Sequence, residues 1–184
     1  MELTSKVSSS STHSTYYKPD CRGGMVIDAY YYVRSQSNGV TYDSMYPYNI
    51  SARTCDVTKY NYAVTVTDLT RVRGEQAMVN HVLGGGTLTA SIDASTWGSY
   101  KRGVFTNCRS QLTINHAVQI VGVNVTGRYW ILRNSWGSRW GDNGYMKLAL
   151  VRTLVCNTDY LIQFGAMSCF DVHHQRMRDM ICSD

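Results

Sequence analysis

HAVQIVGVNVTGRYWILRNSWGSRWGDNGYMKL, residues 116 to 148, is the stretch whose reading decides the fold. Two β-type segments, 116–125 and 128–134, meet at Thr126-Gly127, and Asp142-Asn143-Gly144 turns the chain into a third at 145–150. Adjacent antiparallel strands joined by a short turn bring their far ends together, here His116 and Asn134. An asparagine side-chain oxygen accepts the N–H of one imidazole nitrogen. That fixes the tautomer and aims the other nitrogen at a nucleophile, the task an aspartate performs in serine proteases. Trp136, two residues on, is placed to cover that bond and exclude water, which strengthens it. An isolated His and Asn would read as a structural hydrogen-bonded pair, since short motifs match by chance. Here several signals agree.

Working outward, "TLTASIDA" (87–94) and "GVFTN" (103–107) read as further short strands. Upstream, a helix is predicted from Gly24, with Met25, Val26, Ala29, Tyr30 and Val33 on one face, ending at Asn38-Gly39. A second runs from about Gly74 to Leu83 on Ala77, Met78 and Val82, stopped by Gly84-Gly85-Gly86. Residues 1–20 read as loop, and 40–62 as irregular and tyrosine-rich. Helix first and antiparallel strands after predicts an α+β fold.

The bulk properties narrow the function. A chain of 184 residues makes one domain or two small ones sharing an interface. It is 43% hydrophobic and 17% charged, with 14 tyrosines, enough apolar material for a core. The net charge of +5 is spread without blocks, so no nucleic-acid or membrane partner is expected. No apolar run approaches the ~18–20 residues that span a bilayer. The N-terminus, MELTSKVSSSST, lacks an apolar h-region, so no secretory signal is expected in this chain. Against that stand two sequons, Asn49-Ile50-Ser51 and Asn124-Val125-Thr126, weak signs of secretory ancestry. Cysteines at 21, 55, 108, 156, 169 and 182 form no C-x-x-C pair, which argues against a zinc ribbon or thioredoxin-type site.

"NHAVQIVGV" with "YWILRNSWGSRWGDNGYMKL" resembles the C-terminal half of the papain-like (cathepsin-type) cysteine proteases. "CRGGMVIDAYYYVRSQSNGVTYDSMYPY" is similar to that family's Cys-x-Gly-Gly helix and "YPY" element. The resemblance runs from about Cys21 to Leu161, in the family's order. It implies a papain-like fold with 1–63 a remnant of the helical domain, 64–165 the β-rich domain, and 166–184 a tail. It implies that His116 is the catalytic imidazole, Asn134 its orienting partner and Trp136 the shield. Gly23 and Gly24 would line the substrate cleft through backbone groups. Met25, Val26, Ser91, Ile114, Ala117 and Leu161 match the main specificity pocket. A disulfide between Cys108 and Cys156 is implied, with no cofactor and no metal. The implied partners are a peptide or protein substrate and cystatin-like inhibitors, in a lysosomal or extracellular setting.

One departure stands out. The family carries its nucleophile in a Cys-Gly-Ser-Cys-Trp run, whereas the six cysteines here precede Arg22, Asp56, Arg109, Asn157, Phe170 and Ser183. The His of such enzymes lies ~130–150 residues after the nucleophile, so counting back from His116 leads before residue 1. The oxyanion-hole Gln would lie further upstream. The expectation is therefore a chain that holds base and orienter, lacks the nucleophile and is inactive alone. The alternative is a non-catalytic relative that keeps the cleft as a peptide-binding surface, and a further one is that a separate chain supplies the nucleophile. Cys21 and Cys55 lack their family partners, Ser14 standing where the partner of Cys55 would be. They are read as free thiols or as paired with each other. Cys169, His173, His174 and Cys182 in the tail fit no strong metal template.

Overall fold

The structure, a computed structural model, describes residues 26–35, 40–47, 69–108, 113–150 and 166–168. In chain order the elements are α1 (Val26–Ser35), β1 (Thr70–Val72), α2 (Glu75–Leu83), β2 (Leu88–Ile92), β3 (Val104–Phe105), β4 (His116–Asn124), β5 (Tyr129–Arg133), β6 (Tyr145–Ala149) and β7 (Ala166–Ser168). Both predicted helices form, as do the five predicted β segments, each a little shorter than the pattern suggested. α2 starts one residue after Gly74, whose φ of 83° is outside helical geometry, and it stops where Gly84 donates to Asn80 O.

The strands form one seven-stranded sheet among the described residues, in the order β1-β7-β2-β4-β5-β6-β3. The β2–β4, β4–β5 and β5–β6 pairs are antiparallel, with Ile120 opposite Leu132 and Trp130 opposite Leu148. A shift in register between Ile120 and Gly122 marks a bulge in the β4–β5 hairpin. Two features depart from expectation. β3 runs parallel to β6, so the cluster is not wholly antiparallel. β7 lies between β1 and β2, with Thr70 opposite Ser168 and Thr89 opposite Met167. The stretch 166–184, expected as a tail, thus begins inside the sheet. Three residues are too few to show an alternation, and the partner that makes them a strand lies far away in sequence.

Period-2 alternation decides the core. Leu88, Ala90 and Ile92 of β2, Val118 and Ile120 of β4, Trp130 and Leu132 of β5, and Met146 and Leu148 of β6 are all buried. With Met78, Val79 and Val82 of α2 they form one cluster, extended by Trp97, Tyr100 and Trp140. Cys108 packs against its edge. Cys156 lies outside the described residues, as do Cys21, Cys55, Cys169 and Cys182.

The residues between β2's core positions face the other way. Thr89 and Ser91 alternate with Leu88, Ala90 and Ile92 and are only half-buried. The hydroxyl of Tyr30 on α1 bonds the Thr89 hydroxyl at 2.7 Å. The first helix is therefore anchored to the face of β2 that carries Ser91.

Candidate active site

His116 opens β4 and lies opposite Ile92 of β2. Asn134 stands one residue beyond β5, which runs back along β4 with Arg133 opposite Gln119. The hairpin thereby returns Asn134 to the mouth of β4, and His116 Nε2 lies 2.8 Å from Asn134 Oδ1. The Ser135 N–H donates to the same oxygen at 2.8 Å, which identifies that amide atom as the acceptor. Nε2 is then the protonated nitrogen of the neutral ring, and Nδ1 is the one left to accept a proton.

Two tryptophans pack on the His116 ring, and a third braces both of them. The Trp136 ring lies 4.9 Å from the His116 ring at 35°, and it is 39% exposed, so it covers the pair from the solvent side. Trp97 meets His116 edge-on at 6.4 Å from the interior. Trp140 stacks on Trp97 at 6.4 Å, meets Trp136 at 5.1 Å, and donates its indole N–H to Trp97 O at 3.2 Å. The imidazole is thus held between an outer and an inner indole, in a setting where few waters compete for its hydrogen bond.

Trp97 was not among the residues expected at the site. It sits in the excursion between β2 and β3, and only tertiary folding returns it to β4. A second missed group holds the entrance to β4. The buried Asp93 carboxylate accepts the Thr113 N–H at 3.0 Å and the Ser95 N–H at 2.9 Å. Asn115, immediately before His116, accepts the Ala94 N–H at 3.0 Å and donates to the Ser95 hydroxyl at 2.9 Å. These bonds tie the start of β4 to the end of β2.

The turn after Asn134 needs its glycines. Asn134 N donates to Gly144 O at 2.9 Å, and Gly144 N to Trp140 O at 2.8 Å, folding the loop on itself. Gly141 has φ +59°, and a Cβ there would stand 2.6 Å from Tyr145 O. Gly141→Ala is expected to cost about 1–3 kcal/mol from the backbone conformation alone. The shift in denaturant midpoint checks this, and an unchanged midpoint would remove the role given to Gly141.

Of the residues expected in the specificity pocket, Ser91 and Ala117 lie directly opposite on β2 and β4 and share a face. Ile114 precedes β4, Val26 begins α1, and all four are half-buried. Gly23, Gly24, Met25 and Leu161 lie outside the described residues. Among the described residues, no cluster of three His, Cys, Asp or Glu side chains is arranged to hold a metal ion, and no helix is long and apolar enough to cross a membrane.

Comparison with known proteins identifies the family. Residues 5–164 match the model of the papain family of cysteine proteases. The chain belongs to that family. Fruit bromelain from Ananas comosus is 36% identical over 135 residues, which cover 70% of this chain and 38% of bromelain. Procathepsin L from Felis catus is 33% identical over 153 residues, 77% of this chain and 46% of that protein. The chain thus spans less than half the length of either papain-family relative. Its fold is similar to the structure of Ananas comosus bromelain in complex with the E64 inhibitor. The TM-score is 0.68 at 31% identity, covering 82% of this chain and 72% of bromelain. A Carica candamarcensis cysteine protease in complex with E-64 gives a TM-score of 0.68 at 25% identity. The α+β architecture is that of the papain-like fold.

Proposed function

We propose that this chain is the base-carrying part of a papain-like cysteine endopeptidase, with His116 as proton carrier, Asn134 as its orienting partner and Trp136 as the shield. The single observation that carries the reading is the 2.8 Å His116–Asn134 bond beneath the Trp136 ring. In the complete site, Nδ1 takes the proton of a cysteine thiol, and the thiolate attacks the scissile carbonyl to form an acyl-enzyme. The protonated ring then delivers that proton to the leaving amine. Ser91 and Ala117 line the specificity pocket, with Val26 and Ile114 at its margin. Peptides or proteins are the substrates, cystatin-like proteins the inhibitors, and a lysosome or the cell exterior the setting.

No cysteine of the 184 residues stands in a Cys-Trp pair, and in this reading the thiol is supplied from outside them. Polypeptide 1–184 by itself is expected to show no turnover of peptide substrates above the uncatalysed rate. Steady hydrolysis of a fluorogenic dipeptide, lost in His116→Ala, would overturn that. The direct test appends an upstream papain-like segment bearing the Cys-Trp pair and the oxyanion Gln. Labelling of the added cysteine by a thiol-directed epoxide is expected. Failure to label in a folded product would favour the cleft as a non-catalytic peptide-binding surface.

The Cys108–Cys156 pairing belongs to the same reading, and the disulfide-bonded state of Cys108 supports it. Its reduction is expected to cost about 4 kcal/mol by releasing the constraint on the unfolded chain. Peptide mapping without reductant checks the pairing, and a Cys108 linked elsewhere would refute it.

A further inference from the structure

The hairpin between β4 and β5 carries a motif that the protease reading does not use. Asn124-Val125-Thr126 has the acceptor pattern for N-glycosylation, whose chemistry needs an exposed asparagine amide with a hydroxyl two residues on. Asn124 ends β4, Tyr129 opposite it begins β5, and residues 124–128 are all exposed, Val125 at 55%. The Asn124 oxygen accepts the Gly127 N–H at 2.6 Å, closing the turn, while Nδ2 donates to the Tyr129 hydroxyl at 3.2 Å. Glycine at 127 makes this bend possible: a Cβ there would lie 2.7 Å from Tyr129 Cε1 and 3.0 Å from Asn124 Oδ1. Replacing one Nδ2 hydrogen by a sugar leaves the second for the Tyr129 bond and keeps the oxygen's role in the turn. No buried group has to move.

We propose that Asn124 is an N-glycosylation site. In the transfer, Nδ2 displaces the pyrophosphate of a lipid-linked oligosaccharide. A C–N bond forms at the anomeric carbon as the C–O bond to the lipid pyrophosphate breaks, and the amide gives up one proton. The reaction takes place in the lumen of the secretory pathway, whose oxidising conditions also suit the disulfide-bonded Cys108. β4 has nine residues, so at ~3.3 Å per residue the sugar sits about 26 Å from His116. The oligosaccharide therefore covers the far end of the hairpin and leaves the His116–Asn134 end open to substrate.

The test fuses the full 184-residue chain to a cleavable secretory leader in eukaryotic cells. The Asn49→Gln background keeps the second sequon from contributing. Occupancy is read by glycopeptide mass spectrometry on chains whose leader has been removed, which proves delivery to the lumen. Expected are a sugar on Asn124 in most of these chains and a single mobility step reversed by peptide N-glycosidase. The step should be lost in Thr126→Ala and kept in Thr126→Ser. Unmodified Asn124 in leader-processed chains would overturn the proposal. That readout is made with residues 124–126 intact, so a folding defect in a variant cannot imitate it.

Discussion

His116→Ala, made in the chain restored with an upstream nucleophile segment, is expected to lower kcat by roughly 10⁴- to 10⁶-fold, on the scale seen when the base of a catalytic triad is removed. The size follows from how much rests on one ring. In the proposed mechanism, Nδ1 is the proton acceptor that converts the thiol to the thiolate, and the same nitrogen later returns the proton to the leaving amine. A neighbouring imidazolium holds the thiol pKa of a papain-type pair near ~3–4, and without it the thiol returns towards ~8.5 and is largely protonated at neutral pH. Alanine also removes a ring packed between Trp136 and Trp97, so the melting temperature is measured beside the rate. His116→Gln, which keeps more of the volume but not the base, should lose activity to the same extent. The rate of epoxide labelling at the restored cysteine is the second readout. Labelling indifferent to both replacements would show that His116 is not the proton carrier.

The parts of this site that sequence alone made visible are those that local rules determine. The β4–β5 hairpin could be foreseen because two short β-type segments bracket a Thr-Gly turn, and the hairpin alone forces His116 and Asn134 together. Trp136 followed because it is two residues from Asn134. Trp97 obeys no such rule: its contact with His116 depends on the whole β2–β3 excursion folding back over the start of β4. Asp93 and Asn115 were hidden for the same reason, since a buried carboxylate and an ordinary loop aspartate look alike until the Thr113 and Ser95 N–H groups converge on it. β1 and β7 escaped because three-residue strands exist only through their partners. Ser91 and Ala117 entered by family resemblance, and the β2–β4 register shows only that they share a face: opposite residues of neighbouring strands project from the same side.

Asn134→Ala in the same restored enzyme is expected to cost ~10- to 10²-fold, well short of the His116 loss. A hydrogen bond to a group that carries charge during the reaction contributes ~1.5–3 kcal/mol, and each ~1.4 kcal/mol is a factor of ten in rate. In the proposed role, Asn134, being neutral, orients His116 without adding the charge that an aspartate brings to a triad. Its oxygen is itself held in place: the Ser135 N–H fixes it from one side while His116 Nε2 donates from the other. Its Nδ2 is buried and has no acceptor among the described residues. Alanine removes both atoms, leaving the ring able to rotate or to carry its proton on Nδ1, where it no longer serves as a base. Asn134→Gln presents the same oxygen one methylene further out and should recover part of the loss. Asn134→Asp keeps the acceptor but exchanges the amide donor for a buried anion, so its effect on stability should exceed its effect on orientation. Labelling rates and melting temperatures for the three replacements separate these contributions. A loss in Asn134→Ala as large as that in His116→Ala, or no recovery in a folded Asn134→Gln, would mean that Asn134 does more than aim the imidazole.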